Sequence, residues 1–151
     1  MSALLSEDAL SYIGKATKPM EEVVTRRDIR KYSIATGQRL RKFLDGDVAP
    51  PMFHVALFWD VVELDQLTDD GISIDPLLPN LPLARAMAGG LKIEYHKPIC
   101  PGDILVAVRT LSDIYEKQGS SGSLIFYKIT MEIKSQTGEP VITQLITRIL
   151  R

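Results

Sequence analysis

Three long runs of alternating apolar and polar residues, separated by glycine-containing turns, dominate the last third of the chain. They cover residues 103–117, 124–136 and 141–150, and the turns between them read QGSSGS and TGEP. This alternation is typical of strands with one buried face, and glycine in the turns favours hairpins. Strands of about ten residues or more exceed the usual length, so their sheet must twist and curl.

The first half adds a short strand and a helix before this sheet. Residues 19–25 have β character, and Thr25 with Asp28 three residues later predicts a helix start. Apolar spacing continues this helix to Gly37. Its remaining surface carries basic side chains, which we interpret as a solvated face or as phosphate contacts: Arg26, Arg27, Arg30 and Lys31.

A second helix is predicted over MFHVALFWDVVELDQL, residues 52–67, and its apolar character on most sides predicts burial on most sides. Residues 68–90 are rich in proline and glycine and predict an irregular loop, followed by a strand at 91–97. A long curled sheet is able to wrap one helix, so we predict an α+β hotdog fold, in which a curved antiparallel β-sheet wraps the helix at 52–67. Five side chains are expected to lie mostly in its core: Met52, Phe53, Leu57, Phe58 and Trp59.

Composition and charge limit the function classes. The chain has 151 residues, 45% of them hydrophobic, which is typical of a single globular domain. A net charge of -1 offers no field that attracts nucleic acid or an anionic membrane, and no apolar run approaches the roughly 18 residues of a membrane span. A lone Cys100 and two histidines predict no disulfide framework, no metal site and a reducing, cytoplasmic location.

Three segments resemble one known family. AGGLKIEYHKPICPGDIL, residues 88–105, is similar to the strand and proline–glycine turn of MaoC-like dehydratases. SDIYEKQGSSG, residues 112–122, resembles the hairpin of that family's N-terminal, non-catalytic half. APPMF, residues 49–53, is similar to the step into the family's central helix. The chain is therefore interpreted as an N-terminal helix and linker, residues 1–18, followed by a MaoC-like hotdog domain, residues 19–151.

The resemblance implies chemistry on an acyl-CoA thioester: hydration of trans-2-enoyl-CoA or dehydration of (R)-3-hydroxyacyl-CoA, with coenzyme A as part of the substrate and no further cofactor. Hydration needs a base that activates water and an acid that protonates the α carbon. Active members of the family supply an Asp and a His in the segment G-D-x-N-P-x-H. The corresponding segment here, residues 35–46, has Gln38 in place of the Asp and contains no histidine. We therefore predict no catalytic residue in this chain.

The resemblance also indicates where substrate would bind. It places Pro51, His54, Gly89, Gly90 and Tyr95 near the mouth of the acyl site. For His54, a structural role and a general base both remain open. For the two glycines, a tight corner and close approach of the thioester both remain open. Asp103, in the proline–glycine turn, is expected to bond turn backbone.

Three functions remain possible at this point. Hotdog domains pair through their sheet edges, so the first is a substrate-shaping subunit of a heteromeric enoyl-CoA hydratase or (R)-3-hydroxyacyl-CoA dehydratase, with a catalytic MaoC-like subunit as its partner. The second is a self-sufficient homodimeric hydratase or acyl-CoA thioesterase, for which Asp60 and Glu63 on the central helix are the candidate acids. The third is an acyl-thioester binding or assembly module without turnover.

Overall fold

The computed structural model describes residues 4–151, and its main feature is a five-stranded antiparallel sheet. Across the sheet the strands run in the order β1-β3-β4-β5-β2, so β1 and β2 are the two edges. In chain order the elements are α1 (Glu7–Ser11), β1 (Met20–Val23), α2 (Arg26–Ala35), α3 (Arg41–Leu44), α4 (Phe53–Leu57), a 3₁₀ turn (Leu64–Gln66), β2 (Ala86–Tyr95), β3 (Ile104–Gly119), β4 (Gly122–Ser135) and β5 (Pro140–Leu150).

The three long strands follow the sequence prediction closely. The observed ends of β3, β4 and β5 lie within two residues of the predicted ones, and Gly119 pairs with Gly122 across the β3–β4 turn. In the turn before β3, the Asp103 carboxylate accepts a hydrogen bond from the Cys100 N–H at 2.8 Å, which confirms its predicted role. The predicted end of the loop over residues 68–90 is wrong, because β2 already begins at Ala86.

The N-terminal segment lies along the sheet. The Ser6 side chain caps α1, and further on the N–H of Gly14 donates to the Leu111 carbonyl at 2.8 Å. The N–H of Thr17 donates to the Arg109 carbonyl at 2.9 Å. The first three residues of the predicted helix and linker lie outside the described part of the chain, whereas the described remainder is bonded to β3.

The inner face of the sheet carries two clusters of buried apolar residues. One packs beneath α2 and α4 and includes Ile29, Phe53 and Ile133. The other is covered by Leu77 and by partly buried leucines at residues 78, 81 and 83, together with Tyr12 from the N-terminal segment. The two clusters divide the inner face between the helices and the long connection that precedes β2.

The prediction of one long central helix over residues 52–67 is wrong. The helix is a single turn, α4, and the chain beyond it is irregular apart from the 3₁₀ turn. Trp59, expected in the core, is 73% exposed, and Val61 is fully exposed. Two physical reasons apply. Asp60, Val61 and Val62 are poor helix formers, and the connection around Leu77 covers inner-face surface that a longer helix would need. The prediction holds for Phe53, which is buried.

Two of the four basic side chains on α2 form hydrogen bonds to a neighbouring segment of the chain. Thr25 caps this helix, as predicted, by accepting a hydrogen bond from the Asp28 N–H at 3.0 Å. Its four predicted basic side chains are exposed. Arg26 donates to the Asp45 carbonyl at 2.8 Å, and Arg30 donates to the Leu44 carbonyl at 3.2 Å. These two arginines therefore hold α3 and the loop after it against α2.

Candidate functional site

A cavity of about 280 Å³ lies where the end of β2 meets the start of α4. It is open to solvent on one side, and its walls are mostly apolar. The lining residues are Ala49, Pro50, Pro51, His54, Tyr95, His96, Lys97, Pro98, Ile99 and Ile142. A concave, mainly apolar cavity with a few polar groups is the usual form of a small-molecule site.

The loop that enters α4 is fixed on one wall of this cavity. The Ala49 N–H donates to the Ile99 carbonyl at 2.8 Å, which ties the loop to the turn after β2. Met52 adopts a left-handed conformation with φ of 69°, which is costly for a residue other than glycine. The Met52 N–H donates to the Tyr95 hydroxyl at 3.1 Å. Tyr95 therefore supports a strained turn directly before the helix that carries His54.

His54 is the buried polar side chain of this wall. It is 1% exposed, and its Nε2 lies 2.6 Å from Oε1 of Gln144, which is itself buried on the inner face of β5. The Tyr95 ring packs edge-to-face against the imidazole, with centroids 6.2 Å apart. In the described part of the chain, Nδ1 of His54 is buried without a hydrogen-bond partner.

Burial lowers the pKa of His54 below its ordinary value of 6.5, and the hydrogen bond to Gln144 opposes part of this effect. Desolvation disfavours the charged imidazolium, so the ring is neutral in the folded protein at neutral pH. A neutral imidazole carries one N–H and one bare lone pair. His54 therefore offers one hydrogen-bond donor and one acceptor without adding a charge to the mostly apolar cavity.

We predict that this burial makes folding stability depend on pH. Because the folded pKa of His54 is lowered, the unfolded chain binds more protons once the pH falls below the ordinary value of 6.5. The His54 contribution is thus fully present above that pH and is lost progressively below it. Urea unfolding of the wild type and of His54→Gln across about pH 5 to 8 measures this. The stability advantage of the wild type should shrink towards low pH, and a constant difference would contradict the prediction.

The structure brings together three of the five predicted substrate residues. Pro51, His54 and Tyr95 line the cavity, whereas Gly89 and Gly90 are not among its lining residues. These glycines lie in β2 at an irregular register opposite Thr147. A Cβ on Gly89 would approach the Thr147 side chain to 3.0 Å, so close strand packing accounts for this glycine. Contact of the two glycines with substrate stays a prediction.

The cavity offers no acid–base pair. Its lining, within the described residues, contains no Asp or Glu. Gln38, where the resemblance implies an Asp, follows the end of α2 and is half-buried. Asp60 and Glu63 do not lie on a central helix, because α4 ends at Leu57. The Asp60 carboxylate instead accepts a bond from the Ser73 hydroxyl at 3.3 Å, on the exposed connection.

Sequence reasoning missed Gln144, the residue that orients His54. A signal for it exists in VITQLITRIL, where residues 142, 144 and 146 share one face of the strand. An amide between two isoleucines on a buried face requires a polar partner. The sequence does not identify that partner, because His54 is 90 residues away.

Residues 4–151 lack two further kinds of feature. No group of three or more His, Cys, Asp or Glu side chains is arranged to hold a metal ion there. No helix in the same residues has the length and hydropathy that crossing a membrane requires.

The curved antiparallel sheet, with a short helix on its inner face, is the hotdog fold of dehydratase domains. Residues 11–144 match the family model described as the FAS1-like, dehydratase domain region. This match covers most of the chain, which therefore belongs to that family, the MaoC-like dehydratase hotdog domains.

Curated relatives are distant in sequence. The chain is 24% identical over 129 residues to mesaconyl-C(4)-CoA hydratase of Chloroflexus aurantiacus, covering 85% of the chain and 46% of that protein. It thus spans less than half the length of this relative. The chain is also 25% identical over 151 residues to the UPF0336 protein Rv0504c of Mycobacterium tuberculosis, covering 93% of the chain and 84% of that protein.

Solved structures agree on the fold. The ChsH1-ChsH2 complex from Mycobacterium tuberculosis superposes with a TM-score of 0.69 at 18% identity, covering 95% of this chain and 89% of that one. The HadBC (3R-hydroxyacyl-ACP dehydratase) complex from the same organism gives 0.65 at 19% identity, with coverages of 91% and 96%. The R-hydratase PhaJ1 from Pseudomonas aeruginosa gives 0.60 at 14% identity, with coverages of 91% and 81%.

Proposed function

We propose that this chain is a substrate-shaping subunit of a heteromeric enoyl-CoA hydratase or (R)-3-hydroxyacyl-CoA dehydratase, whose catalytic Asp and His come from a MaoC-like partner. The observation that carries the proposal is the cavity at the end of β2, whose lining among residues 4–151 includes the neutral His54 but no carboxylate. Addition or removal of water at an enoyl thioester requires both an acid and a base. A partner therefore has to supply what this cavity lacks.

The position of the cavity supports a site completed by a second subunit. Within the described part of the chain, strand β2 pairs with β5 alone, so its other side is an open sheet edge. Open edges are templates for pairing with another chain. Tyr95 at the end of β2 lines the cavity, and a strand added at this edge would lie beside that residue.

Exposed apolar side chains on the connection before β2 support the same proposal. Trp59, Val61, Leu64, Ile72 and Ile74 are each at least 58% exposed. Exposed apolar surface is a feature of segments that bind other proteins or ligands. We expect a partner subunit to cover part of this connection when the complex forms.

Hydration of crotonyl-CoA tests the proposal directly. The loss of absorbance of the enoyl thioester is followed in three reactions. The first contains this chain alone, the second contains only a MaoC-like protein encoded near it, and the third contains both proteins. We expect turnover in the mixture that exceeds the sum of the separate reactions by about a hundredfold, because this chain would position the substrate against the acid and base of the partner. Longer and bulkier enoyl-CoA substrates are tested in the same way.

The outcome also separates the alternative functions. Robust hydration by this chain alone would contradict the proposal and favour a self-sufficient enzyme. Binding of the thioester by the chain, without turnover in any mixture, would favour a binding or assembly module. A mixture in which the partner's catalytic Asp is replaced by Asn is the control, and it should be inactive.

A further inference from the structure

The strongest unexplained feature of the molecule is the unpartnered Nδ1 of His54. The side chain is 1% exposed, and Nδ1 makes no hydrogen bond to any described residue. Burying a polar atom without a partner costs stability, and such atoms are rare in folded proteins. His54 also lines the cavity, so a bound ligand is a natural source of the missing partner.

The hydrogen bond to Gln144 determines which kind of partner Nδ1 needs. Oε1 of Gln144 accepts hydrogen bonds only, and it lies 2.6 Å from Nε2 of His54. Nε2 therefore carries the single N–H of the neutral imidazole. Nδ1 is left with a bare lone pair, which accepts a hydrogen bond and repels other acceptors.

The rest of the cavity makes this acceptor selective. Pro50, Pro51, Ile99 and Ile142 contribute apolar walls. The other polar side chains of the lining already have partners within the protein: Tyr95 bonds the Met52 N–H, His96 bonds Thr143 and Lys97 bonds Glu139. The acyl part of an enoyl thioester offers only a carbonyl oxygen, which is an acceptor. The acyl part of a 3-hydroxyacyl thioester also offers a hydroxyl, which is a donor. The pantetheine arm and its amides are common to both.

We propose that Nδ1 of His54 accepts a hydrogen bond from the 3-hydroxyl group of a bound 3-hydroxyacyl thioester. This inference rests on the proposed function, because it takes an acyl thioester as the ligand of the cavity. The proposal gives this chain the role of recognising the 3-hydroxyacyl thioester, which is the hydrated form of the enoyl thioester. His54 then binds and orients the hydroxyl that the partner's acid and base add or remove.

Binding of two matched thioesters tests the proposal on the full chain. Titration calorimetry compares (R)-3-hydroxybutyryl-CoA with butyryl-CoA, which differ only in the hydroxyl. We expect the hydroxylated thioester to bind about five- to tenfold more tightly, the effect of one hydrogen bond to a buried neutral acceptor.

Two variants distinguish the contribution of Nδ1 to binding from that of the rest of the ring. In His54→Gln, the amide reaches the position of Nε2 and keeps the bond to Gln144, but no atom replaces Nδ1. In His54→Asn, the shorter amide places an acceptor near the position of Nδ1. We expect His54→Gln to lose the preference for the hydroxylated thioester and His54→Asn to retain part of it. Equal preference in the wild type and His54→Gln would overturn the proposal.

Nitrogen NMR of the histidine ring gives a readout that a purely structural role would not change. We expect the Nε2–H tautomer in the free chain, and a shift of the Nδ1 resonance when (R)-3-hydroxybutyryl-CoA binds but not when butyryl-CoA binds. Protonated Nδ1 in the free chain would overturn the proposal.

The two proposals fail in different ways. If both thioesters bind equally and the mixed complex still hydrates crotonyl-CoA, the role of His54 fails and the subunit function stands. If neither thioester binds, and the mixture shows no added turnover, both proposals fail together.

Discussion

Replacing Leu91 by proline is expected to weaken association with the proposed catalytic partner strongly while the chain itself stays folded. Leu91 lies in the edge strand β2, and its side chain is 50% exposed. If the partner pairs with this edge, a proline removes one N–H donor and places a ring where the incoming strand would lie. We expect affinity for the partner to fall by about tenfold or more, with a matching loss of crotonyl-CoA hydration by the mixture.

The hydrogen-bond pattern of β2 explains the choice of Leu91. The His96 N–H donates to the Val141 carbonyl at 2.9 Å, so the N–H of residue 96 points towards β5. Backbone groups alternate in direction along a strand. The N–H groups of Glu94 and Lys92 therefore also point towards β5, and that of Leu91 points to the open edge. Proline restricts the backbone conformation of the residue before it, and that residue is Gly90, which tolerates the restriction.

Leu91→Ala is the matched control. It removes the same exposed side chain, at a cost of about 1 kcal/mol to the free energy of unfolding, but keeps the N–H. We expect Leu91→Ala to bind the partner much better than Leu91→Pro, and both to show cooperative urea unfolding. If the two variants associate equally well, pairing through β2 is wrong, and the exposed connection around Trp59 becomes the surface to test.

Replacing Gly46 by alanine is expected to lower the free energy of unfolding by about 3 kcal/mol. Gly46 has φ of +75°, a left-handed conformation that costs energy for alanine. A Cβ here would also lie 2.8 Å from the carbonyl oxygen and the Cγ of Arg26, and 2.8 Å from the Cγ of Arg30. The backbone oxygen cannot move aside without displacing α2, so the loop after α3 would be pushed away.

Gly138→Ala provides the comparison. Gly138 has φ of +91°, but a Cβ there would meet nothing within 4 Å. We expect this variant to lose only about 1 kcal/mol, the cost of the backbone conformation alone. Urea unfolding of both variants measures the difference. Equal losses would contradict the prediction, because they would indicate that the loop after α3 adapts easily to a Cβ at position 46.

Local pattern was sufficient for the strands, the hairpin and the start of α2. Alternation with a period of two fixes the buried face of each long strand whatever lies against it. The pair Gly119 and Gly122 allows the tight turn, and Thr25 bonds a nearby backbone N–H. Each of these features depends on residues close together in sequence, which is why they were predictable.

Apolar composition was a poor guide over residues 52–67. It indicated burial, but burial needs a surface to pack against. Phe53 finds one in Tyr32, with ring centroids 5.7 Å apart, whereas Trp59 remains exposed. A segment that is apolar on most sides is thus able to form a buried helix in one setting and an exposed connection in another. Only the tertiary structure distinguishes these outcomes.

The sequence by itself determined the sheet, the family resemblance and the absence of the acid–base segment at Gln38, because each is written in neighbouring residues. The sequence also predicted His54, Pro51 and Tyr95 as substrate-binding residues, but it did not predict the contacts between them. The tertiary structure decided that His54 meets Gln144 from the far end of the chain and that its Nδ1 has no partner among the described residues. Burial and tautomer are set by side chains that approach across the fold, so no local pattern specifies them.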